Sequence, residues 1–320
     1  MSGHRTALRV LLADDHSEML KAASSVLQER CEIVSAVSDG LQAVDEALRL
    51  HPDVVVLDIT MPGLDGFQAA RELRRRGSQA KVVFLSLHEG DEFVATGFRS
   101  GGQGFVPKHR LPTDLQSAVE HVLAGRVFVP SLSSLSAVAP RGGHAVMFYS
   151  RRNAWSDEAA GLVRVALTRG DTVAVFAPEV TRMDIAKRLA THGFDTTQAV
   201  ADGRYAVADA AETLEQITHN GQPDRQRIAA VVGDLERTRL AASGPGSRLT
   251  MVGEIAASQR PDQRDEVMGI ERLWNELAGE RAFLTVCGYS MDFCRQGNGD
   301  GQPWSTMCGE HWAVSQVVDE

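Results

Sequence analysis

The chain has no apolar run approaching the roughly 20 residues that crossing a bilayer requires. Its opening stretch, MSGHRTALRVLLADD, carries basic residues, but the apolar run stops at Asp14, so no signal-peptide core is read there. A cytoplasmic protein with no membrane partner is expected. Cysteine is scarce as well. Cys31, Cys287, Cys294 and Cys308 form no CxxC pair, which suits a reducing compartment and argues against a disulfide framework. Cys308 and His311 make a CxxH near Cys287 and Cys294, so a metal site is conceivable, but buried or incidental thiols are the expectation. Positive charge is also in deficit: the net charge is -9. Through Pro140 there are 14 basic and 17 acidic residues, and beyond it 19 and 25. Neither half offers the basic surface that a nucleic-acid backbone demands, so nucleic acid is not expected as a partner.

What is present is alternation. In the first 126 residues, LRVLLA (8–13), CEIVSAV (31–37), DVVVLD (53–58), KVVFLSL (81–87) and GFVP (104–107) read as strands. Segments 17–29, 41–50, 66–75, 90–100 and 113–124 place apolar residues at helical spacing. Five strands alternating with five helices predict an α/β fold with a parallel sheet covered on both faces. Ligands of such sheets bind beyond the carboxyl ends of the strands. Asp14 and Asp15 end the first strand, Asp58 the third, Ser86 lies near the end of the fourth, and Lys108 follows the fifth. Three acids, a hydroxyl and an ammonium therefore share one rim. Burying an unpaired carboxylate costs several kcal/mol, so Asp58 must face solvent or a cation. A Mg²⁺ ion, which takes carboxylate, water and phosphate oxygens, would resolve the repulsion.

Residues 7–126 resemble a response-regulator receiver domain, flavodoxin-like in fold. The resemblance rests on the Asp14-Asp15 pair, Asp58 with MPGLDG after it, Ser86, Phe105 and Lys108. It implies a two-component protein phosphorylated on Asp58 by a sensor histidine kinase, able to homodimerise through the receiver. It further implies Mg²⁺ held by Asp14, Asp15, Asp58 and the carbonyl of Thr60, with Lys108 as the second cation on the phosphoryl group. Ser86 and Phe105 resemble the family's switch pair. The phosphoryl group would draw the Ser86 hydroxyl inward and vacate space for the Phe105 ring. Thr60 and His88 would flank that group and tune its lifetime. One departure is VPKHR, in which proline precedes the lysine and His109 follows it.

Residues 127–142, rich in Ser, Pro and Gly, read as a linker, with the receiver as 1–126 and a second domain as 143–320. That domain alternates again. Strands are predicted at 144–149, 172–177, 204–208, 249–253 and 282–287, and helices at 156–169, 180–191, 224–241 and 263–279. A P-loop would place GxxxxGK[ST] after its first strand; here the chain reads FYSRRNAWSDEAAGL, so ATP hydrolysis by that route is rejected. Residues 143–295 resemble the MEDS (DcmR-like sensory) domain, whose fold is similar to a RecA/KaiC core without the nucleotide loop. The resemblance rests on HAVMFY, ALTRGDTVAVFAPEVTRMDIAKRLATHGFD, DAAETL, MVGEIA, LWNEL and CGYSMDF in that order. It implies a sensory or output module with a small-molecule ligand or protein partner. His144, Tyr149, Glu254 and Tyr289 sit at strand ends or starts and are the candidate ligand residues, set at the sheet's carboxyl rim. Trp155, Trp274, Trp304 and Trp312 are expected as core or interface aromatics. The function expected is a response regulator, not an enzyme, whose receiver controls a second domain that does not bind DNA. Three rivals stand beside it: a metabolite sensor modulated by the receiver, a transcriptional regulator acting through partner proteins, and a hydrolase-like site at Glu254.

Overall fold

The computed structural model describes residues 8–139, 142–255, 264–292 and 311–317. The chain forms two compact units, 1–130 and 131–320.

The first unit runs β1 (Leu8–Ala13), α1 (Ser17–Leu27), β2 (Cys31–Val37), α2 (Gly40–Leu50), β3 (Val54–Asp58), α3 (Gly66–Arg75), β4 (Lys81–Ser86), α4 (Asp91–Arg99), β5 (Gly104–Pro107), α5 (Leu111–Leu123) and β6 (Val127–Phe128). Its strands lie in the order β2-β1-β3-β4-β5-β6, and every pairing is parallel. The flavodoxin-like order 2-1-3-4-5 puts its switch point between β1 and β3. The unbroken apolar run of β3 follows from its central place. Val54 to Leu57 are at most 1% exposed, because helices cover both faces. Asp39 and Asp65 cap α2 and α3, accepting from the amides of Gln42 and Gln68 at 2.8 and 2.7 Å.

The second unit contains α6 (Leu132–Val138), β7 (Gly143–Tyr149), α7 (Arg152–Thr168), β8 (Thr172–Ala177), α8 (Glu179–Thr191), α9 (Thr196–Ala201), β9 (Tyr205–Asp209), α10 (Ala210–Ile217), the hairpin strands β10 (Thr218–His219) and β11 (Gln222–Pro223), α11 (Arg225–Ser243), β12 (Leu249–Gly253), α12 (Arg264–Glu280), β13 (Phe283–Ser290) and β14 (Ala313–Val317). Its main sheet runs β14-β7-β13-β12-β8-β9, again parallel throughout. One apolar core, from Phe176, Met251, Trp274 and Phe283 among others, lies between this sheet and the α11 and α12 helices.

The segment expected to be a linker is folded. Val127–Phe128 adds a strand beside β5, and Leu132–Val138 is a helix begun by Ser131, whose hydroxyl accepts from the Ser134 amide. Its Leu132 and Leu135 are fully buried, which its Ser-rich composition concealed. Among the described residues no helix is long and apolar enough to cross a membrane. Trp155 and Trp274 are buried and Trp312 is half-buried, whereas Trp304, Cys294 and Cys308 lie outside the described residues.

Candidate functional site

In the first unit, β1 and β3 deliver the acids to the switch point. Asp58 is the last residue of β3, and Asp14 follows β1, its amide donating to Val37 O at 3.1 Å. Both are 2% exposed. Lys108, just after β5, answers the question their burial raises. Its Nζ lies 2.7 Å from Asp14 Oδ2 and 3.0 Å from Asp58 Oδ2, with little of the side chain left to solvent. Burial pushes Asp58 above the usual carboxylate range; Lys108 opposes that rise, Asp14 adds to it, and the backbone amide of Thr60 donates to the carboxylate and eases it. Burial likewise works against the Lys108 charge, yet Asp14 and Asp58 hold its pKa above the ordinary lysine value. Asp15 is more open, with its Oδ1 2.7 Å from His16 Nδ1. Ligand atoms of Asp14, Asp15, His16 and Asp58 all lie within 4.8 Å of one another.

The loop after β3 is shaped by glycine. Gly63 sits at φ +75°, in the left-handed region. Gly66 brings α3 so close that a Cβ there would stand 2.2 Å from Asp58 O, and its amide donates to Ile59 O at 3.0 Å. The MPGLDG run is thus needed to fold the chain tightly beneath Asp58.

Ser86 is buried and its Oγ donates to His88 O at 2.7 Å while accepting from the His88 amide at 2.9 Å. The hydroxyl is therefore committed to a local turn. Phe105 is 0% exposed and packs inward within van der Waals distance of a Cβ built at Gly97. His109 pairs with Glu89 at 3.1 Å on the surface.

In the second unit the four candidate residues divide between the two faces of the sheet. Side chains alternate along a strand, and the register pairs His144 with Thr285 and Phe148 with Tyr289. His144 and Tyr289 therefore face α12, and Tyr149 and Glu254 face the opposite side. On the latter face the Tyr149 hydroxyl donates to Glu254 Oε1. Burial raises the Glu254 pKa, and the Thr181 and Tyr149 hydroxyls, Arg152 and the Trp155 ring ease the rise. Glu254 Oε2, Thr181 Oγ1 and Trp155 Nε1 are all buried. On the α12 face the Tyr289 hydroxyl donates to Glu271 Oε1, and the Nε2 atoms of His144 and His311 each lie 2.9 Å from Glu271 Oε2. Cys287 Sγ is 3.3 Å from His144 Nε2.

The expected single pocket at the carboxyl rim is thus not what these four residues form. A cavity of about 20 Å³ lies under α12, lined by Glu271, Trp274, Thr285, Cys287 and Tyr289 among others; of the four, only Tyr289 lines it. Sequence reading missed Glu271 and the meeting of His144 with His311. The LWNEL helix carried the signal, because Glu271 falls three residues before Trp274 on the face that α12 buries.

A doubly wound sheet whose switch point holds two buried aspartates bridged by a lysine defines the first unit as a signalling α/β domain of the receiver type. Residues 10–120 match the family described as response regulator receiver domain, and residues 143–298 match MEDS, the methanogen/methylotroph, DcmR sensory domain. The chain belongs to the response-regulator receiver family and carries a MEDS domain after the receiver. It is similar to the Fimbriae Z protein of Salmonella typhimurium, with 32% identity over 148 residues, 45% of this chain and 70% of that one. The nitrate/nitrite response regulator protein homolog of Haemophilus influenzae is 31% identical over 124 residues, 38% of this chain and 60% of that protein. The chain thus spans about three fifths of the length of the relatives first matched. The signal receiver domain of NarL from Mycobacterium tuberculosis is 30% identical, covering 37% of this chain and 98% of that one at a TM-score of 0.36.

Proposed function

We propose that this chain is a response regulator in which a sensor histidine kinase phosphorylates Asp58 and the receiver then governs the MEDS domain without DNA binding. The observation that carries the reading is the placement of Lys108 Nζ at 2.7 and 3.0 Å from Asp14 and Asp58. An ammonium so placed favours the ionised form of the Asp58 carboxylate against its burial, the form that attacks. An Asp58 oxygen forms the new bond to phosphorus as the bond to the donor's imidazole nitrogen breaks, and that nitrogen leaves with the electron pair. Lys108 then faces the transferred oxygens. Asp14, Asp15 and Asp58, beside the His16 ring, offer the carboxylate oxygens that Mg²⁺ accepts, and with the Thr60 carbonyl they are the residues that would hold it. When bound, the ion neutralises charge on the phosphoryl oxygens.

The switch reading gains a definite competition. Ser86 must release His88 O before its hydroxyl can turn to a phosphoryl oxygen, so the β4–α4 turn loosens with the transfer. Phe105 is already buried, so the rearrangement would be one of neighbours around the ring, with no ring entering from solvent. Receivers of this kind commonly act as homodimers, and self-association on phosphorylation belongs to the same reading.

The second unit's likeness to a RecA/KaiC core lacking its nucleotide loop is supported by the all-parallel sheet with the first strand inside it. Only Ser150 and Arg151 separate β7 from α7, too short a turn to wrap a phosphate chain with backbone amides. A small-molecule sensor is the favoured role for this domain, resting on its match to the DcmR sensory family.

The test is phosphoramidate labelling with Mg²⁺, read by intact mass. The wild type should gain one phosphoryl group and Asp58→Asn none. Equal labelling of the two ends the proposal. A thermal shift of the full chain against nucleotides and small apolar metabolites tests the sensor role; a clear ATP-dependent shift overturns the rejection of nucleotide binding.

A further inference from the structure

Deep in the second unit, four metal-ligating side chains from separate elements converge. His144 comes from β7, Glu271 from α12, Cys287 from β13, and His311 from the residue pair before β14. Their ligand atoms lie within 4.8 Å of one another, and all four residues are nine-tenths buried or more. We propose that His144 Nε2, His311 Nε2, Glu271 and Cys287 Sγ form a four-coordinate site for a divalent late first-row transition ion, with Zn²⁺ its natural occupant.

The geometry comes first. Zinc bonds of about 2.0–2.1 Å to N and O and about 2.3 Å to S place tetrahedral ligand atoms roughly 3.3–3.7 Å apart. Three of the observed separations are 2.9, 2.9 and 3.3 Å. Those three contacts need widen by only a few tenths of an ångström to accept an ion, and the remaining ligand atoms lie within 4.8 Å of one another.

Charge is the second argument. Glu271 is 2% exposed, and among the described residues its ion pairs are with the two imidazoles and with no lysine or arginine. A divalent ion would cancel the charges of one carboxylate and one thiolate ligand, giving a neutral buried cluster. Neutral imidazole and thiolate are the ligand forms such ions take.

Glu271 is also oriented from outside the cage. Tyr289 donates its hydroxyl to Oε1, the oxygen turned away from the histidines, as outer partners of metal-bound carboxylates do. The adjoining cavity of about 20 Å³ has room for one water-sized molecule and shares Glu271 and Cys287 in its lining. A small ligand there would touch the site directly.

The proposal stands apart from phosphorylation of Asp58. It is tested on the full chain by elemental analysis and by absorption of the Co²⁺-loaded protein. The wild type should hold about one equivalent of zinc through dialysis. Its Co²⁺ form should show d–d bands of tetrahedral intensity and a thiolate-to-metal band, the latter one that the sulfur-free cluster at Asp58 cannot give. Cys287→Ser should lose the thiolate band, and His311→Gln should lose the tetrahedral spectrum. Tyr289→Phe should bind the ion about 10–100-fold more weakly. X-ray absorption of the zinc-loaded wild type should find one sulfur and three N/O ligands, a readout that needs no variant to fold. A wild type without tetrahedral Co²⁺ bands, a thiolate band that survives in Cys287→Ser, or a zinc shell without sulfur would overturn the assignment.

Discussion

Replacing Lys108 by methionine removes the cation from between two carboxylates while keeping most of the side-chain volume. At an effective dielectric of about 20, each contact near 3 Å carries roughly 5–6 kcal/mol of gross attraction. Desolvation of the three groups cancels much of this, and breaking a buried pair costs about 3–5 kcal/mol net. Lys108→Met should therefore destabilise the receiver by about that amount without Mg²⁺. The corresponding fall in its melting midpoint is about 10 °C or more. The sign with pH is set by Asp58. Its carboxyl titrates above the unfolded value even in the wild type, and without the ammonium it rises further. A raised carboxyl binds its proton more tightly in the folded state, so stability falls as pH climbs from about 4 through the folded pKa. The deficit of Lys108→Met should be shallow near pH 4 and full near pH 7. Asp58→Asn leaves the Lys108–Asp14 contact at 2.7 Å and should cost under about 1 kcal/mol. Combining the two should recover only part of the loss, since Lys108 and Asp58 couple directly but Asp14 still lacks its cation. Urea titrations at several pH values, with and without Mg²⁺, measure all of this. A Lys108→Met midpoint equal to the wild type in chelator at pH 7 would refute the reasoning.

Gly66→Ala forces a methyl to 2.2 Å from Asp58 O; backbone must move, so it should cost about 1–3 kcal/mol and reduce phosphoramidate labelling. Gly288→Ala drives a Cβ to 2.7 Å from the Trp155 ring; urea melts should show a loss of similar size, confined to the second unit's transition. His121 is buried on α5 and pushed down to about 4 by that burial, so it contributes stability above about pH 6.5 that is lost as pH falls toward 4, up to about 3 kcal/mol. His121→Gln should flatten that part of the urea-midpoint profile, and an unchanged acid slope would count against it. Tyr149→Phe leaves Glu254 Oε1 without its donor and should lower stability by about 1–3 kcal/mol, more at pH 8 than at pH 5; a loss that does not vary with pH would contradict a buried, titrating Glu254.

The receiver was almost wholly legible from sequence because its information is local. Each strand ends on the residue that matters, so Asp14, Asp58, Ser86 and Lys108 fall on one rim once the strands are known to be parallel. The five strand ranges of each unit agree with those observed to within three residues at any end. The segment after Arg126 misled for the opposite reason. A run such as SLSSLSAV is polar by count, yet Leu132 and Leu135 recur at helical spacing and Ser131 caps them. The capping Ser131 and its neighbours satisfy one another there, with Ser131 Oγ 3.0 and 2.8 Å from the hydroxyls of Ser133 and Ser134, which composition cannot display.

The second unit was readable as strands and unreadable as a site, and the pleat explains why. His144 and Tyr149 share a strand but sit five positions apart, an odd number that sends them to opposite faces. Grouping residues because each stood near a strand end therefore joined two unrelated clusters. The actual partnerships run across strands and onto one helix: Tyr149 with Glu254, and His144 with Cys287, Glu271 and His311. Sequence separation hides the second group, since 127 residues part His144 from Glu271. Both units meet the same demand, a carboxylate inside an apolar α/β layer, and meet it differently. The receiver supplies a covalently attached cation, Lys108, which opposes the rise that burial imposes on Asp58. Among the described residues, the second unit sets imidazole, thiol and phenol around Glu271, groups that bring hydrogen bonds and metal affinity in place of a fixed charge.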